Sequence, residues 1–201
     1  ALTSTSGPEL KILYATESGL SKISEFDLDS VEIVEVSDAV MKAMSDTVSP
    51  QGLISLCYKP EAEISGLKST GSSLFIYLHE IQDPGNAGTI LRTADAMGIS
   101  AVITSPDSVD MFSPKVVRST AGSLWHLPVF EGISFSQLNS HLPNSQKILL
   151  SSHAKKSIVD LDIPGDCIAI FGNEARGVSA SDLGTSVIEV TIPMSGRAES
   201  L

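Results

Sequence analysis

The chain has 201 residues, of which 42% are hydrophobic and 18% charged, so its composition is that of a folded globular protein rather than a disordered one. No apolar run reaches the roughly 18 residues of a membrane span, and the two cysteines form no Cys-x-x-Cys pair, which excludes a zinc ribbon. The net charge is −11, with −7 in residues 1–80 and −4 in residues 81–201, and it disfavours non-specific attraction to a nucleic acid. We therefore expect a soluble intracellular protein in which any nucleic acid contact uses local basic clusters.

The first 58 residues predict a small β-α-β-α-β unit. Its strands are expected at 11–15, 31–36 and 52–58, and its helices at 17–26 and 37–45. A polar stretch with prolines and glycines follows, and it is the best candidate for a linker. The predicted organisation is a first domain over 1–59, a linker over 60–73 and a second domain over 74–201.

The second domain repeats the alternation of strands and helices with longer periods. Strands are predicted at 74–78, 101–104, 128–130, 147–151, 167–171 and 187–192. Helices are predicted at 86–98, 114–121, 134–141 and 179–184. Such alternation predicts an α/β fold in which helices cover both faces of a parallel sheet. Ligands of these sheets bind beyond the carboxyl ends of the strands.

The helix at 86–98 carries the first candidate functional residues. Asp83, Pro84 and Gly85 turn the chain and Asn86 is a good N-cap, while Ile90, Leu91, Ala94 and Met97 form an apolar face. Arg92 lies about 200° around the helix from that face, which directs it to solvent or to a site. A capped helix start with one ordinary exposed arginine explains the same residues.

Two further segments follow predicted strands. Residues 172–177 have the glycine spacing of a phosphate loop, but Val178 stands where its lysine belongs, which disfavours a nucleotide site. Gly172, Asn173 and Glu174 still offer backbone N–H groups, an amide and a carboxylate to a polar ligand, and a plain turn is the alternative. In residues 192–201, Pro193 and Gly196 break the backbone regularity; a frayed terminus is the alternative there.

Taken together and in order, the three segments resemble the three motifs of the SpoU class of SPOUT RNA methyltransferases. The matching residues are Asn86, Gly88 and Arg92 in the first motif; Gly172, Asn173, Glu174 and Gly177 in the second; and Ile192, Pro193, Met194, Gly196, Glu199, Ser200 and Leu201 in the third. Residues 114–128 are similar to the region between the first two motifs. Residues 10–58 resemble, more weakly, the end of the small RNA-substrate-binding domain that precedes many SpoU domains.

The resemblance implies more than the periodicity does. It implies a sheet whose third-motif loop forms a trefoil knot, a homodimer, S-adenosylmethionine as cofactor, and methylation of a ribose 2′-hydroxyl in ribosomal or transfer RNA. The cofactor is then expected among the three loops that follow the strands ending near 151, 171 and 192. The residues assigned to it by resemblance are Ser151, Ser152, Gly172, Asn173, Glu174, Ile192, Met194 and Leu201.

The catalytic residues implied by the resemblance are Asn86, Arg92, Glu174 and Ser200. A literal base role for Arg92 conflicts with a guanidinium that has no acceptor and a pKa above about 12. We prefer an Arg92 that binds the adjacent phosphate and stabilises negative charge on the reacting oxygen. The expected RNA contacts are Arg92, Lys115, Arg118, Arg176 and Arg197.

Two departures from the family pattern leave an alternative open. The balance of charge is acidic, and the chain stops at Leu201, where the third motif of the family continues into an asparagine and a helix. We therefore expect an incomplete knot and a site that lacks one residue. The alternative is a non-catalytic RNA-binding or interaction module that keeps the SpoU fold. The compartment, cytoplasmic or organellar with a removed targeting segment, is left open.

Overall fold

The computed structural model describes residues 7–28 and 30–194, and the chain divides into two compact units between Pro60 and Glu61. Among the helices of these described residues, none combines the length and the apolar character needed to cross a membrane.

The first unit is a three-stranded mixed sheet with two helices. In chain order its elements are β1 (Leu10–Ala15), α1 (Glu17–Ile23), β2 (Glu32–Glu35), α2 (Asp38–Met44) and β3 (Leu53–Cys57). β1 lies in the middle, parallel to β2 and antiparallel to β3. Thr16 and Ser37 cap the two helices with their side chains, as residues of these types commonly do. The predicted order of elements is confirmed for this unit.

The second unit is built on a six-stranded sheet in which all neighbouring strands are parallel. The spatial order is β6-β5-β4-β8-β7-β9. The strands are β4 (Leu74–Leu78), β5 (Ala101–Thr104), β6 (Val129–Phe130), β7 (Gln146–Leu150), β8 (Cys167–Phe171) and β9 (Ile188–Val190). The helices are α3 (Pro84–Ala96), α4 (Pro114–Ser119), α5 (Phe135–His141) and α6 (Ala180–Leu183).

Alternation along β4 shows that both faces of this sheet are covered. Phe75 and Tyr77 belong to one buried cluster, with residues of α5 and α6. Ile76 and Leu78 belong to another, with residues of α3 and α4. Successive side chains of a strand point to opposite faces, so the two clusters are the two sides of one sheet. The α/β fold with a parallel sheet between helices is confirmed.

Two details of α3 differ from the sequence prediction. Asp83, rather than Asn86, is the N-cap, and its Oδ1 accepts the N–H of Asn86 at 2.8 Å. Proline is favoured at the first helical position, so the helix begins at Pro84. Met97, predicted on the apolar face, is 74% exposed because, at about 100° per residue, it lies roughly 120° around the helix from the buried Leu91, and it is the C-cap of α3.

Residues 61–73, most of the predicted linker, group with the second unit. Leu67 is buried in its core, and the Asp166 carboxylate accepts hydrogen bonds from the Ser69 hydroxyl and the Ser73 N–H. The functional boundaries assigned to the domains stay a prediction. The trefoil knot also stays a prediction, because part of the third motif lies outside the described residues.

Candidate functional site

The loops that carry the predicted motifs lie at one edge of the six-stranded sheet. β8, β7 and β9 are consecutive neighbours and parallel, so their carboxyl ends point the same way. Ser151, Gly172 and Ile192 lie just beyond those three ends. β4 lies on the other side of β8, which brings the start of α3 to the same edge.

Glu174 joins the loop after β8 to the loop after β4. Its carboxylate accepts the backbone N–H of Asp83 at 3.1 Å and that of Gln82 at 3.3 Å. It also accepts the side-chain amide of Asn86 at 3.3 Å. The first and second predicted motifs are therefore in direct contact through these two side chains.

The same contacts determine the ionisation of Glu174. Partial loss of water around the carboxylate by itself raises its pKa. The hydrogen bonds from its own N–H, from Asp83, from Asn86 and from Gln82 together outweigh that effect and hold the pKa below its ordinary value. The neighbouring hydrogen-bond donors therefore stabilise Glu174 as an anion, and it is poorly suited to carry a proton near neutral pH.

Asn173 fixes the turn in which Glu174 lies. Its Nδ2 donates to the carbonyl of Glu80 at 2.8 Å, and its Oδ1 accepts the N–H groups of Ala175 and Arg176 at 2.9 and 3.2 Å. A Cβ at Gly172 would lie 2.6 Å from the carbonyl carbon of Gly177 and the nitrogen of Val178. The turn therefore requires a glycine at 172 for space.

A second close approach sets the position of α3. A Cβ on Gly88 would lie 1.9 Å from Oγ and 2.5 Å from Cβ of Ser119, so α3 and α4 pack together with almost no space between them. The Ser119 hydroxyl donates to the carbonyl of Pro84 at 2.9 Å. The exposed cations Arg92, Lys115 and Arg118 lie on these two helices.

Among the predicted RNA contacts, Arg176 forms an ion pair inside the part of the chain that the structure describes. Its guanidinium forms an ion pair with the Glu80 carboxylate. Both residues, with His79, Gly177 and Asp182, line a cavity of about 400 Å³ next to the turn. Nε2 of His79 lies 3.6 Å from Oε1 of Glu80, and Nδ1 of the same ring is buried without a hydrogen bond among the described residues.

The three motifs lie in a part of the chain that matches a known protein family. A family model described as the SpoU rRNA Methylase family matches residues 73–201, well over half of the chain. The chain belongs to this family. The membership confirms the resemblance inferred from the three motifs.

Curated relatives and solved structures agree with SpoU membership. The chain is 36% identical to an uncharacterized tRNA/rRNA methyltransferase of Synechocystis over 174 residues, which cover 86% of this chain and 63% of that protein. It is 30% identical to a Bacillus subtilis 23S rRNA (guanosine(2553)-2′-O)-methyltransferase over 178 residues, which cover 87% and 69% of the two chains. An AdoMet-bound rRNA methyltransferase of Sinorhizobium meliloti has the same fold, with a TM-score of 0.84, 23% identity and coverage of 97% and 75%. The chain thus spans less than two thirds of the Synechocystis relative.

Four described residues that the SpoU resemblance assigns to the cofactor have groups suited to a nucleoside. Ile192 and Met194 are 40% and 38% exposed, so apolar side chains face solvent beside the edge of the sheet. Ser151 donates its N–H to the carbonyl of Val190 at 2.9 Å, and Ser152 is exposed. Polar groups beside exposed apolar side chains fit an adenosine that carries an aliphatic chain.

Three predicted residues, Arg197, Ser200 and Leu201, lie outside the described residues. Within the described ranges, no group of three or more His, Cys, Asp or Glu side chains is arranged to hold a metal ion. Sequence reasoning missed Glu80, Gln82 and Ser119. Of these three, only Gln82 could have been identified from the sequence, because it adjoins the turn that begins at Asp83. The contacts of Glu80 and Ser119 join distant parts of the chain.

Proposed function

We propose that this protein transfers a methyl group from S-adenosylmethionine to a ribose 2′-hydroxyl of ribosomal or transfer RNA. The observation that carries the proposal is the junction of Asn86 with Glu174, which assembles two SpoU motifs at the carboxyl edge of a parallel sheet. Membership in the SpoU family supports it, as do the names of the relatives, one of which is a 2′-O-methyltransferase of 23S rRNA.

S-adenosylmethionine supplies an electrophilic methyl group when it is bound. The chain's own contribution is alignment and charge, which is large when two reactants must meet in line. Nδ2 of Asn86 donates a hydrogen bond to Glu174, which orients the amide, and Oδ1 is the acceptor that Asn86 offers to a ribose hydroxyl. Glu174 orients Asn86 and the start of α3 rather than taking a proton.

Arg92 has the electrostatic role in this proposal. It lies on α3 six residues beyond Asn86 and is exposed. Its guanidinium binds the phosphate next to the target ribose and stabilises negative charge that develops on the oxygen. Ser200 adds an orienting hydroxyl from the third motif.

The RNA contacts proposed on this surface are the cations of the two packed helices. Arg92 lies on α3, and Lys115 and Arg118 lie one turn apart on α4. Arg197 extends the same set from the third motif. Because the whole chain carries −11, these local cations must supply most of the attraction to phosphate.

The proposal also includes the cofactor loops, a homodimer and an intracellular compartment, cytoplasmic or organellar. Ser151, Ser152, Gly172, Asn173, Glu174, Ile192, Met194 and Leu201 are the residues proposed to hold the cofactor. The exposed apolar side chains of Ile192 and Met194, beyond the end of β9, support this assignment.

Two measurements test the proposed function. Calorimetry with S-adenosylmethionine, with its demethylated product and with ATP should detect binding of the two sulfur compounds only. Transfer of a tritiated methyl group to total RNA, followed by alkaline hydrolysis, should leave the label in a hydrolysis-resistant dinucleotide, because 2′-O-methylation blocks cleavage. Binding of RNA with neither cofactor binding nor transfer would instead support the non-catalytic module.

A further inference from the structure

Glu80 has a backbone conformation that glutamate seldom adopts. Its φ is 55°, in the left-handed region that favours glycine. It lies two residues beyond the end of β4, in the middle of the carboxyl edge. Such a residue persists only where the surrounding contacts hold it in place.

Three contacts with residues of other loops hold Glu80, and each comes from a different group of the residue. Its N–H donates to Oγ of Ser105 at 2.8 Å, its carbonyl accepts from Nδ2 of Asn173 at 2.8 Å, and its carboxylate pairs with Arg176. Ser105 follows β5, whereas Asn173 and Arg176 follow β8. Glu80 therefore ties together the ends of β5, β4 and β8, which are neighbours in the sheet.

The two backbone contacts do not explain why this residue is a glutamate. Glycine would adopt the same φ without strain and would make the same two backbone hydrogen bonds. The contacts that need the side chain are those with Arg176 and with the ring of the adjacent His79, 3.6 Å away, and of these only Arg176 lies in the turn after β8. The carboxylate is also the more buried partner, since the Glu80 side chain is 19% exposed and that of Arg176 is 69% exposed.

The ion pair acts on the turn that presents Glu174. The N–H of Arg176 donates to Oδ1 of Asn173, while Nδ2 of the same amide donates to the carbonyl of Glu80. Both ends of the Asn173 side chain are thus connected to the Glu80–Arg176 pair. Glu174 lies between Asn173 and Arg176 in the chain, so its backbone is fixed from both sides.

We propose that Glu80 is a positioning residue for the SpoU site: through Arg176 and Asn173 it fixes the turn from which Glu174 binds Asn86. Arg176 then serves this turn instead of contacting RNA. The inference rests on the proposed methyl transfer, but the geometry of the turn can be measured without it.

A double-mutant cycle tests the pairing. Glu80→Gln and Arg176→Gln should each lower kcat by about tenfold with little change in the KM for RNA, because a misplaced turn weakens the transition state rather than substrate binding. The double variant should be no worse than either single variant, since both remove the same contact. Arg118→Gln, an exposed cation on α4, is the matched control and should raise the KM for RNA and weaken its salt dependence.

Glu80→Gly separates the backbone from the carboxylate. It relieves the left-handed strain, so the melting temperature should not fall, yet kcat should fall as in Glu80→Gln. Additive losses in the cycle, or an Arg176→Gln variant that behaves like the Arg118 control, would overturn the proposal and return Arg176 to the RNA contacts.

Hydrogen–deuterium exchange keeps the inference testable if methyl transfer itself is absent. In the wild-type chain the N–H groups of Ala175 and Arg176 donate to Oδ1 of Asn173 and that of Gly177 donates to its carbonyl at 2.8 Å, so these three amides within 172–178 should exchange more slowly than amides without a hydrogen bond. Glu80→Gln should accelerate exchange in that segment and leave β5 and α4 unchanged. Unchanged exchange in 172–178 would contradict the positioning role whatever the activity of the protein.

Discussion

The side-chain amide of Asn86 donates to the carboxylate of Glu174 over 3.3 Å, although the two residues are 88 positions apart in the chain. β4 and β8 are adjacent and parallel, so a residue at the start of α3 reaches the turn after β8. The pair is therefore a consequence of strand order, and it converts two separate sequence motifs into one site.

Replacement of Asn86 tests this junction. Residues 82–86 donate three hydrogen bonds to the Glu174 carboxylate, and Asn86→Ala removes one of them. We expect this loss to lower the free energy of unfolding by about 1 kcal/mol. Asn86→Asp should cost more activity and stability, because two carboxylates about 3 Å apart repel more strongly than the dipole of α3 favours an acid in its first turn, which is worth roughly 0.3–1 kcal/mol. Urea denaturation and methyl transfer measure the two effects.

Asn144→Asp is the control for that comparison, because Asn144 is exposed on the loop between α5 and β7 and is far in sequence from both motifs. It should leave stability and transfer close to wild type. Equal stability of Asn86→Asp and Asn144→Asp would show that Asn86 and Glu174 do not form this pair in solution.

Gly88→Ala tests the contact between α3 and α4. The added Cβ would overlap the Ser119 side chain and lie 2.8 Å from its carbonyl carbon, so the two helices must move apart. Overpacking of this kind costs about 1–3 kcal/mol in the free energy of unfolding. Gly66→Ala is the control, since its Cβ would meet only a ring atom of Phe130 at 4.0 Å. A Gly88→Ala variant as stable as the control would contradict the close packing.

The buried strands of the second unit were predictable because parallel strands covered on both faces are continuous apolar runs. The predicted bounds of β4, β5 and β8 match the structure residue for residue. The start of α3 was displaced because Asp83 and Asn86 are both good caps by residue type. The choice between them depends on Pro84, which prefers the first helical position.

The candidate site was predictable only where a residue type has a function in a local pattern. The ordered motifs singled out Asn86, Arg92 and Glu174, of which the structure brings Asn86 and Glu174 into contact. Glu80 was not, because its left-handed conformation depends on side chains of Ser105 and Asn173 that lie 25 and 93 residues away. A single sequence contains no local signal for such a contact.

His79 should make the free energy of unfolding depend on pH at values above those at which the carboxylates titrate. Burial lowers its pKa from the ordinary 6.5; Asp182 and Asp107 raise it and Arg176 lowers it, and the neighbouring Glu80 carboxylate lies 3.6 Å from Nε2. Because the unfolded chain binds the proton more tightly, His79 makes stability fall as the pH falls below about 6.5, until the pH reaches its folded pKa.

The variant His79→Gln should remove this part of the pH dependence, and His153→Gln, at an exposed position, should not. Glu174, Asp95, Asp166 and Asp182 have pKa values lowered by hydrogen bonds, so the stability they contribute is lost only at more acidic pH. Thermal melts between pH 5 and 8 separate the two ranges. Parallel curves for wild type and His79→Gln would show that the histidine is solvated.

Arg92 gives the most direct test of the chemistry. It is exposed on α3, so Arg92→Ala removes no core packing and should leave the melting temperature and cofactor affinity near wild type. Loss of its stabilisation of negative charge should lower kcat by about 10²- to 10³-fold. Arg92→Lys keeps the charge but loses the planar fork that binds phosphate through two hydrogens, so it should restore little activity. Arg118→Ala is the matched exposed arginine and should affect mainly the KM for RNA. Full methyl transfer by Arg92→Ala would remove Arg92 from the reaction and leave it as an ordinary surface arginine.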